Sequence, residues 1–323
     1  MRLVMIGPYA SDVKPAIRRK LPANVELVEI LGNDEYSKLE DADFIVLRNL
    51  RLTAQDIAGL KKCKLIQRWG VGYDTVDIEA AGKQGIPVAI TSGVNSASVA
   101  ELVIGLILSV FRHIPAMNAQ LKSGGWEREL FIDKSFMIKG KVVGLIGCGS
   151  IGKLVARSLN AFDAQVVYYD PVRMEESQEN KLGITYLSFD ELLKVSDIVS
   201  LHLPSIDSTK GLINMGVFLK MKPTAILINT ARGSIVNESD LIEALEKKIL
   251  AGAGLDSFAS EPIEKDNPLL KMDNVVLTPH VGGNTQDIGV EMVGRVIENI
   301  SRTMEGKALY HGDFVNAQFI KRQ

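Results

Sequence analysis

Three ionisable side chains in the second half of the chain each follow an apolar, strand-like run: Arg232 after AILINTA, Glu261 after GLDSFAS and His280 after VVLTP. A guanidinium presents a planar fork of donors suited to a carboxylate. An imidazole, with an unperturbed pKa of about 6.5, exchanges a proton near neutrality. A carboxylate such as Glu261 beside that ring would favour the imidazolium and fix its tautomer. Together these residue types suit an anionic substrate whose reaction moves a proton. Singly, a buried arginine or glutamate is more often half of an ion pair.

A second constellation lies upstream, in Lys141 to Asp170 (KVVGLIGCGSIGKLVARSLNAFDAQVVYYD). The apolar run Val142 to Ile146 has strand length and leads into Gly147, Gly149 and Gly152 in the spacing GxGxxG. A helical pattern follows, with Ile151, Leu154, Val155 and Leu159 on one face, and a second β-rich run, Gln165 to Tyr169, ends on Asp170. Gly147 permits a tight turn, Gly149 lets a pyrophosphate approach bare backbone, and Gly152 lets the helix pack closely on the strand. The phosphates would rest on the helix N-terminus at Ser150 and Ile151, where unsatisfied N–H groups and the positive dipole end meet. Asp170 would accept from the adenosine ribose hydroxyls, and its charge would repel the extra phosphate of NADP. Arg173 is the only nearby residue that could compensate, so NAD is the expected cofactor. A glycine turn without its strands and acid would carry far less, since such turns also occur with no ligand.

Positioning these groups takes strands whose carboxyl ends point one way. At 323 residues the chain exceeds what one hydrophobic core supports and suits about two domains. Its first stretch alternates strand-like runs (Leu3 to Ile6, Val25 to Ile30, Phe44 to Leu47, Leu65 to Trp69, Val88 to Thr91) with helical ones (Val13 to Lys20, Ile57 to Lys62, Val76 to Gln84). That alternation predicts an open parallel sheet, whose ligands gather where strands end. Two glycine-bearing strand exits, WGVGY at Trp69 to Tyr73 and TSGVN at Thr91 to Asn95, are therefore either ligand loops or simple turns.

Ser96 to Leu121 is a helical pattern apolar on nearly every side, broken at Pro115 and ended by Gly124, Gly125 and Trp126. So little polar surface predicts burial between layers, domains or subunits, and the stretch from Ser98 predicts a homodimer. His113 within it reads as structural. After Asp170 the strand candidates are Asp197 to Leu203, Ala225 to Asn229, Ala251 to Leu255 and Val275 to Leu277, with helices at Asp190 to Val195, Glu238 to Lys248 and Val290 to Met304. This is a doubly wound sheet. Phe314 to Gln323 follow a helix that has left it and are expected to return to the first domain.

Composition narrows the function classes. Hydrophobic residues at 46% against 24% charged describe a globular chain rather than a disordered one. Lys+Arg at 37 nearly balance Asp+Glu at 39, with no basic cluster, so nucleic acid is not an expected partner. Cys63 and Cys148 show no metal-ligand spacing; neither a metal site nor a disulfide scaffold is expected, consistent with a reducing compartment. The opening MRLVMIGPYA turns polar too soon for a signal peptide, and Leu102 to Val110 is well short of a bilayer span. A cytoplasmic protein without a membrane partner is expected.

Five further segments carry a family resemblance: GLIGCGSIG (Gly144 to Gly152), LHLP (Leu201 to Pro204), NTARGSIVNESDLIEAL (Asn229 to Leu245), AGAGLDSFASEP (Ala251 to Pro262) and LTPHVGG (Leu277 to Gly283). In order and spacing the chain resembles the D-isomer-specific 2-hydroxyacid dehydrogenases, phosphoglycerate dehydrogenase-like members included, along essentially its whole length. The resemblance implies an α/β protein of two open parallel-sheet domains. One is a flavodoxin-like substrate-binding domain of residues 1–97 and 289–323; the other is a Rossmann NAD-binding domain of residues 98–288. It makes Arg232, Glu261 and His280 the catalytic set. Asp256 resembles the family's ligand for the nicotinamide carboxamide, Thr230 lies beside it in the cofactor cleft, and His202 resembles a wall of the adenine pocket. WGVGYDTVD resembles the substrate loop, whose backbone N–H groups at Val71 and Gly72 would hold the substrate carboxylate, and SGVNSASVAE resembles the hinge, with Asn95 near the cleft.

The implied activity interconverts a D-2-hydroxy acid and its 2-oxo acid, with His280 as acid or base, Arg232 stabilising the charge that grows on oxygen, and Glu261 keeping His280 protonated to higher pH. NAD-sensing corepressors share this fold and triad but bind peptides and usually carry disordered tails. Formate dehydrogenases replace the acid by an amide, whereas phosphite dehydrogenases keep it, so that activity stays open. Arg48 and Arg51 in LRNLRLT could meet a phosphate or sulfonate on the substrate, as 3-phosphoglycerate would require, or could be solvated charges.

Overall fold

The computed structural model describes residues 1–320 and divides into two units, Met1–Asn95 with the chain from Asn284 onward, and Ser96–Gly283. The chain therefore changes unit at 95/96 and 283/284, whereas the motifs suggested 97/98 and 288/289. Ser96 is already buried as the first residue of a helix of the second unit. At the return, Asn284 accepts a hydrogen bond from Arg48 of the first unit, four residues before helix Ile288–Met304 begins.

The first unit holds five parallel strands, β1 (Arg2–Ile6), β2 (Glu26–Ile30), β3 (Phe44–Leu47), β4 (Leu65–Arg68) and β5 (Val88–Ala89), in the order β2-β1-β3-β4-β5. This is the flavodoxin-like order. β3 and β4 are buried at every position; β3 accordingly reads as a continuous apolar run, whereas β4 ends in the buried polar pair Gln67 and Arg68. The period of two sends Val4, Ile6, Ile45, Leu47 and Ile66 to one face with Ile57 and Ala81. It sends Leu3, Met5, Phe44, Val46 and Leu65 to the other, where Val13, Ile17, Val293, Val296 and Ile300 cover them. The segment after the last helix is tied to β5: Asn316 Oδ1 accepts from Val88 N–H at 2.7 Å, and the Val315 amide donates to Val88 at 3.1 Å. Residues 321–323, part of the segment expected to return here, lie outside the described residues.

The second unit holds β6 (Val142–Ile146), β7 (Gln165–Tyr169), β8 (Ile184–Tyr186), β9 (Ile198–Leu201), β10 (Ile226–Asn229), β11 (Gly252–Leu255) and β12 (Val275–Leu277), all parallel, in the order β12-β11-β10-β9-β6-β7-β8. The strand order reverses between β6 and β9, which makes a switch-point crevice at their carboxyl ends, as in the Rossmann fold. Helix Ser96–Phe111 packs Val103, Leu106, Ile107 and Val110 on one face of this sheet. Gly254 allows the close approach, since a Cβ there would stand 2.9 Å from Ile228 and 3.0 Å from Leu106.

Five elements depart from the sequence reading. The helix expected at Ile57 to Lys62 instead spans Ala54–Ala58, because Thr53 and Asp56 form a capping box and Gly59 closes it. The apolar helix breaks before Pro115: it ends at Phe111, His113 takes a left-handed φ of 49°, and helix Ile114–Lys122 leaves at 64°. Pro115 sits in the first turn of the new helix, where its missing N–H costs nothing. β8 with the preceding helix Glu176–Leu182, and helix Met215–Phe218, are additions too short to carry a clear periodic signal. Among the described residues no single helix is long and apolar enough to cross a membrane.

Candidate active site

The glycine turn is built as its spacing requires. Gly147 adopts φ 91°, and a Cβ there would stand 2.6 Å from the His202 carbonyl oxygen. A Cβ on Gly152 would stand 2.7 Å from the Gly147 carbonyl, so this third glycine serves the turn itself as well as the helix. Gly149 faces open space, which leaves bare backbone at the start of helix Ser150–Ala161. Gly149 and Ser150 are exposed, Ile151 is half-buried, and the N-cap residue, Gly149, brings no side chain to cap this helix; its first N–H groups offer an anion cradle.

Asp170 closes the turn from outside. Its Oδ2 accepts from the Cys148 amide at 3.0 Å and its Oδ1 from the Val172 amide at 3.3 Å. The carboxylate that would meet a ribose thus also fixes the phosphate loop, a role that spacing alone did not suggest. His202 Nε2 is hydrogen-bonded to Ser200 Oγ at 3.0 Å, and burial pushes its pKa down to about 4, so this ring is neutral and unsuited to be a second base near pH 7. Its Nδ1 and the Thr230 hydroxyl are buried without a hydrogen-bond partner among the described residues. Orphaned polar atoms beside an open glycine cradle fit a dinucleotide, with Gly147 to Gly152 at its phosphates and His202 and Thr230 along its length.

Three strand exits carry the ionisable set. Arg232 follows β10; Asn229 holds this exit by accepting from the Ala231 amide and donating to the Arg232 carbonyl, both at 3.0 Å. Glu261 follows β11, and His280 follows β12. His280 Nδ1 meets Glu261 Oε2 at 2.7 Å, and Glu261 Oε1 accepts from the Phe258 amide at 3.1 Å. Partial burial alone would raise the Glu261 carboxyl. The His280 bond, the Phe258 amide and the charges of His280 and Arg232 outweigh it and hold the carboxyl below its ordinary range. The pairing leaves His280 Nε2 as the nitrogen available for proton transfer.

His280 itself has a left-handed φ of 52°, uncommon for a side chain with a Cβ. Asp256 holds it there. Buried to 2% exposure, its Oδ1 accepts from Thr278 Oγ1 at 2.6 Å and the Val281 amide at 2.9 Å, and its Oδ2 from the Gly282 amide at 2.9 Å. Those donors flank the histidine on both sides.

In the first unit, the expected substrate residues also lie at strand exits. Val71 and Gly72 follow β4, and the Gly72 carbonyl accepts from Arg68 Nε at 2.7 Å. Arg68, 7% exposed, also donates to the carbonyls of Leu47 at 3.0 Å and Arg48 at 2.6 Å, so one guanidinium ties two exits together. Arg48 reaches the Pro8 carbonyl and Asn284 Oδ1 at 3.3 Å. The Asn95 Oδ1 is buried without a hydrogen-bond partner among the described residues. Arg51 is exposed, and its carbonyl accepts from Tyr36.

Residues 104–282 match the model of the D-isomer specific 2-hydroxyacid dehydrogenase NAD-binding domain. A hydroxypyruvate reductase of Thermotoga maritima is 38% identical over 84% of this chain and 90% of its own length. The chain belongs to the D-isomer-specific 2-hydroxyacid dehydrogenases. A D-3-phosphoglycerate dehydrogenase of Archaeoglobus fulgidus is 39% identical over 94% of this chain, which spans only 57% of that relative. Among solved structures, an NAD-dependent formate dehydrogenase from Staphylococcus aureus, in complex with NAD, superposes with a TM-score of 0.88 at 30% identity, covering 98% of this chain and 99% of the other. The second unit accordingly contains the family's NAD-binding domain.

Three supports escaped the sequence reading. The Asp256 clamp and the Arg68 tie both act on backbone groups, which every residue possesses. The signal for Arg68 was a charged residue beside Gln67 at the end of a strand that begins with Leu65 and Ile66. A third is Glu238, whose Oε2 accepts from the Ala259 amide at 3.0 Å and whose Oε1 accepts from Asn267 at 2.8 Å, bracing the loop that carries Glu261.

Proposed function

We propose that this chain is an NAD-dependent dehydrogenase that interconverts a D-2-hydroxy acid and its 2-oxo acid. The observation that carries the reading is the 2.7 Å pairing of His280 with a Glu261 carboxylate held ionised. NADH, when bound, supplies hydride to the 2-oxo carbon. His280, held by Glu261 through Nδ1, delivers a proton from Nε2 to the carbonyl oxygen as negative charge grows there, and in the oxidative direction the neutral ring takes it back. Arg232 stabilises that charge and grips the carboxylate. In the first unit the N–H groups of Val71 and Gly72, with Asn95, are the candidate carboxylate donors, and in the second unit Thr230 and the remaining lone pair of Asp256 meet the cofactor.

The substrate is a small acid, 3-phosphoglycerate or a related hydroxy or oxo acid. Relatives carrying the names phosphoglycerate dehydrogenase, hydroxypyruvate reductase and glyoxylate reductase support this range, and Arg48 supports an anionic tail. The protein works in the cytoplasm as a homodimer. The support for the dimer is the apolar surface of the segment after the helix break, where Ile114, Leu121, Trp126, Ile132 and Met137 are 46%, 56%, 77%, 67% and 68% exposed.

A panel of 2-oxo acids with NADH, followed at the nicotinamide absorbance, tests the activity. Turnover of at least one, lost in His280→Ala, is expected; no turnover of any by protein that binds NADH would overturn it.

A further inference from the structure

Tyr168, Arg173, Glu179 and Tyr186 form a cluster that the proton chemistry does not use. Asp170 ends the strand before it and turns the chain by accepting the Val172 amide, so Arg173 follows the ribose-facing acid by three residues. An arginine near that acid is the residue type that receives the 2′-phosphate of NADP in dinucleotide folds.

Here the fork is already occupied. Arg173 Nε and Nη2 donate to Glu179 Oε1 and Oε2, each at 2.8 Å, in bidentate geometry. The guanidinium also lies 5.3 Å from the Tyr186 ring centroid. Although the Arg173 side chain is 57% exposed, its anion is not: Glu179 is 5% exposed and also accepts the Tyr168 hydroxyl at 2.7 Å. The Tyr168 oxygen in turn accepts the Met174 amide at 3.0 Å, which pins the backbone next to Arg173. The bonds from Arg173 and Tyr168 hold the Glu179 carboxyl down at about 2, so the anion persists throughout the working pH range. An isolated surface ion pair contributes little, but this one has a buried carboxylate with three donors.

We propose that Glu179 determines cofactor specificity by withholding Arg173 from a 2′-phosphate. Rejection of NADP then has two layers, the charge of Asp170 and an arginine that is present but engaged. The proposal rests on the second unit being an NAD site.

The test is calorimetric and needs no turnover. Adenosine 2′,5′-bisphosphate and ADP are titrated into the full chain as wild type, Asp170→Ala, Asp170→Ala/Glu179→Gln and the triple variant that adds Arg173→Ala. Released arginine should tighten the bisphosphate in the double variant by about tenfold to a hundredfold over Asp170→Ala, and the triple variant should lose that gain. Equal bisphosphate affinity in the single and double variants, or a gain that survives Arg173→Ala, would overturn the proposal. Should the double variant not fold, Arg173→Ala in the otherwise natural chain decides: unchanged bisphosphate affinity supports a withheld arginine, and a tenfold loss overturns it. Failure of the wild type to bind ADP would instead remove the NAD-site reading, and the proposal with it.

Discussion

Replacing Asp256 by asparagine should loosen the histidine loop while leaving its shape almost unchanged. The carboxylate accepts two bonds on Oδ1 and one on Oδ2, and all three donors belong to the segment Thr278–Gly282. An amide has only one oxygen. With its NH2 at the Oδ2 position it faces the Gly282 amide; flipped, it faces the Val281 amide. In either orientation one buried N–H loses its acceptor, a cost of about 1–3 kcal/mol, or about a 5- to 150-fold shift toward an open loop. His280 needs the closed loop to hold its left-handed backbone, so kcat for reduction should fall by a factor in that range. Hydrogen exchange of the Val281 and Gly282 amides in NAD-free protein should quicken correspondingly, separating loop support from any contact with the cofactor. Unchanged exchange at both amides, with kcat within twofold of wild type, would refute the reasoning.

Removing the Glu261 charge should lower kcat for reduction by about tenfold, because in Glu261→Gln the 2.7 Å bond that fixes the His280 ring is made to a neutral oxygen. His280→Ala should instead lose about a hundredfold or more across the profile, and pH–rate curves of the two variants check both expectations. Glu179→Gln should be less stable than wild type at neutral pH. A depressed folded-state pKa contributes stability that is present above the ordinary value of 4.5 and lost as pH falls toward about 2, so unfolding midpoints of the two proteins should converge across that window. Gly233→Ala should give little soluble, active protein, since its Cβ would fall on the Phe258 carbonyl and stand 2.5 Å from the Ala259 nitrogen. Expression with circular dichroism reports that outcome.

Much of this site is legible from residue types because backbone geometry demands them. No residue but glycine fits Gly147, where φ is positive and a carbonyl blocks the Cβ, and strands β6 and β7 read as strands because both flank it with apolar runs of strand length. The pairing of Glu261 with His280 is legible only through motifs, since 19 residues and a strand separate them. What the sequence conceals are bonds between a side chain and a distant amide. Asp256 looks like any acid after a strand, and its clamp exists only once β11 and β12 lie side by side. Local competition hides the helix boundaries: at His113 a backbone that could continue turns left-handed, while nearby Pro115 draws the eye as the apparent breaker.

The interleaving of the two units sets an order of assembly during synthesis. Leu3, Met5, Phe44 and Val46 are synthesised before the second unit, yet Val293, Val296 and Ile300, which cover that face of the sheet, follow only after it. The gap between Asn95 and the covering helix is about 190 residues, or about 10–40 s at about 5–20 residues per second. The second unit, continuous from Ser96 to Gly283, completes its own core within that interval. A nascent chain that has completed the NAD-binding domain therefore still carries a five-stranded sheet with one face partly bare, and that face stays so until helix Ile288–Met304 emerges.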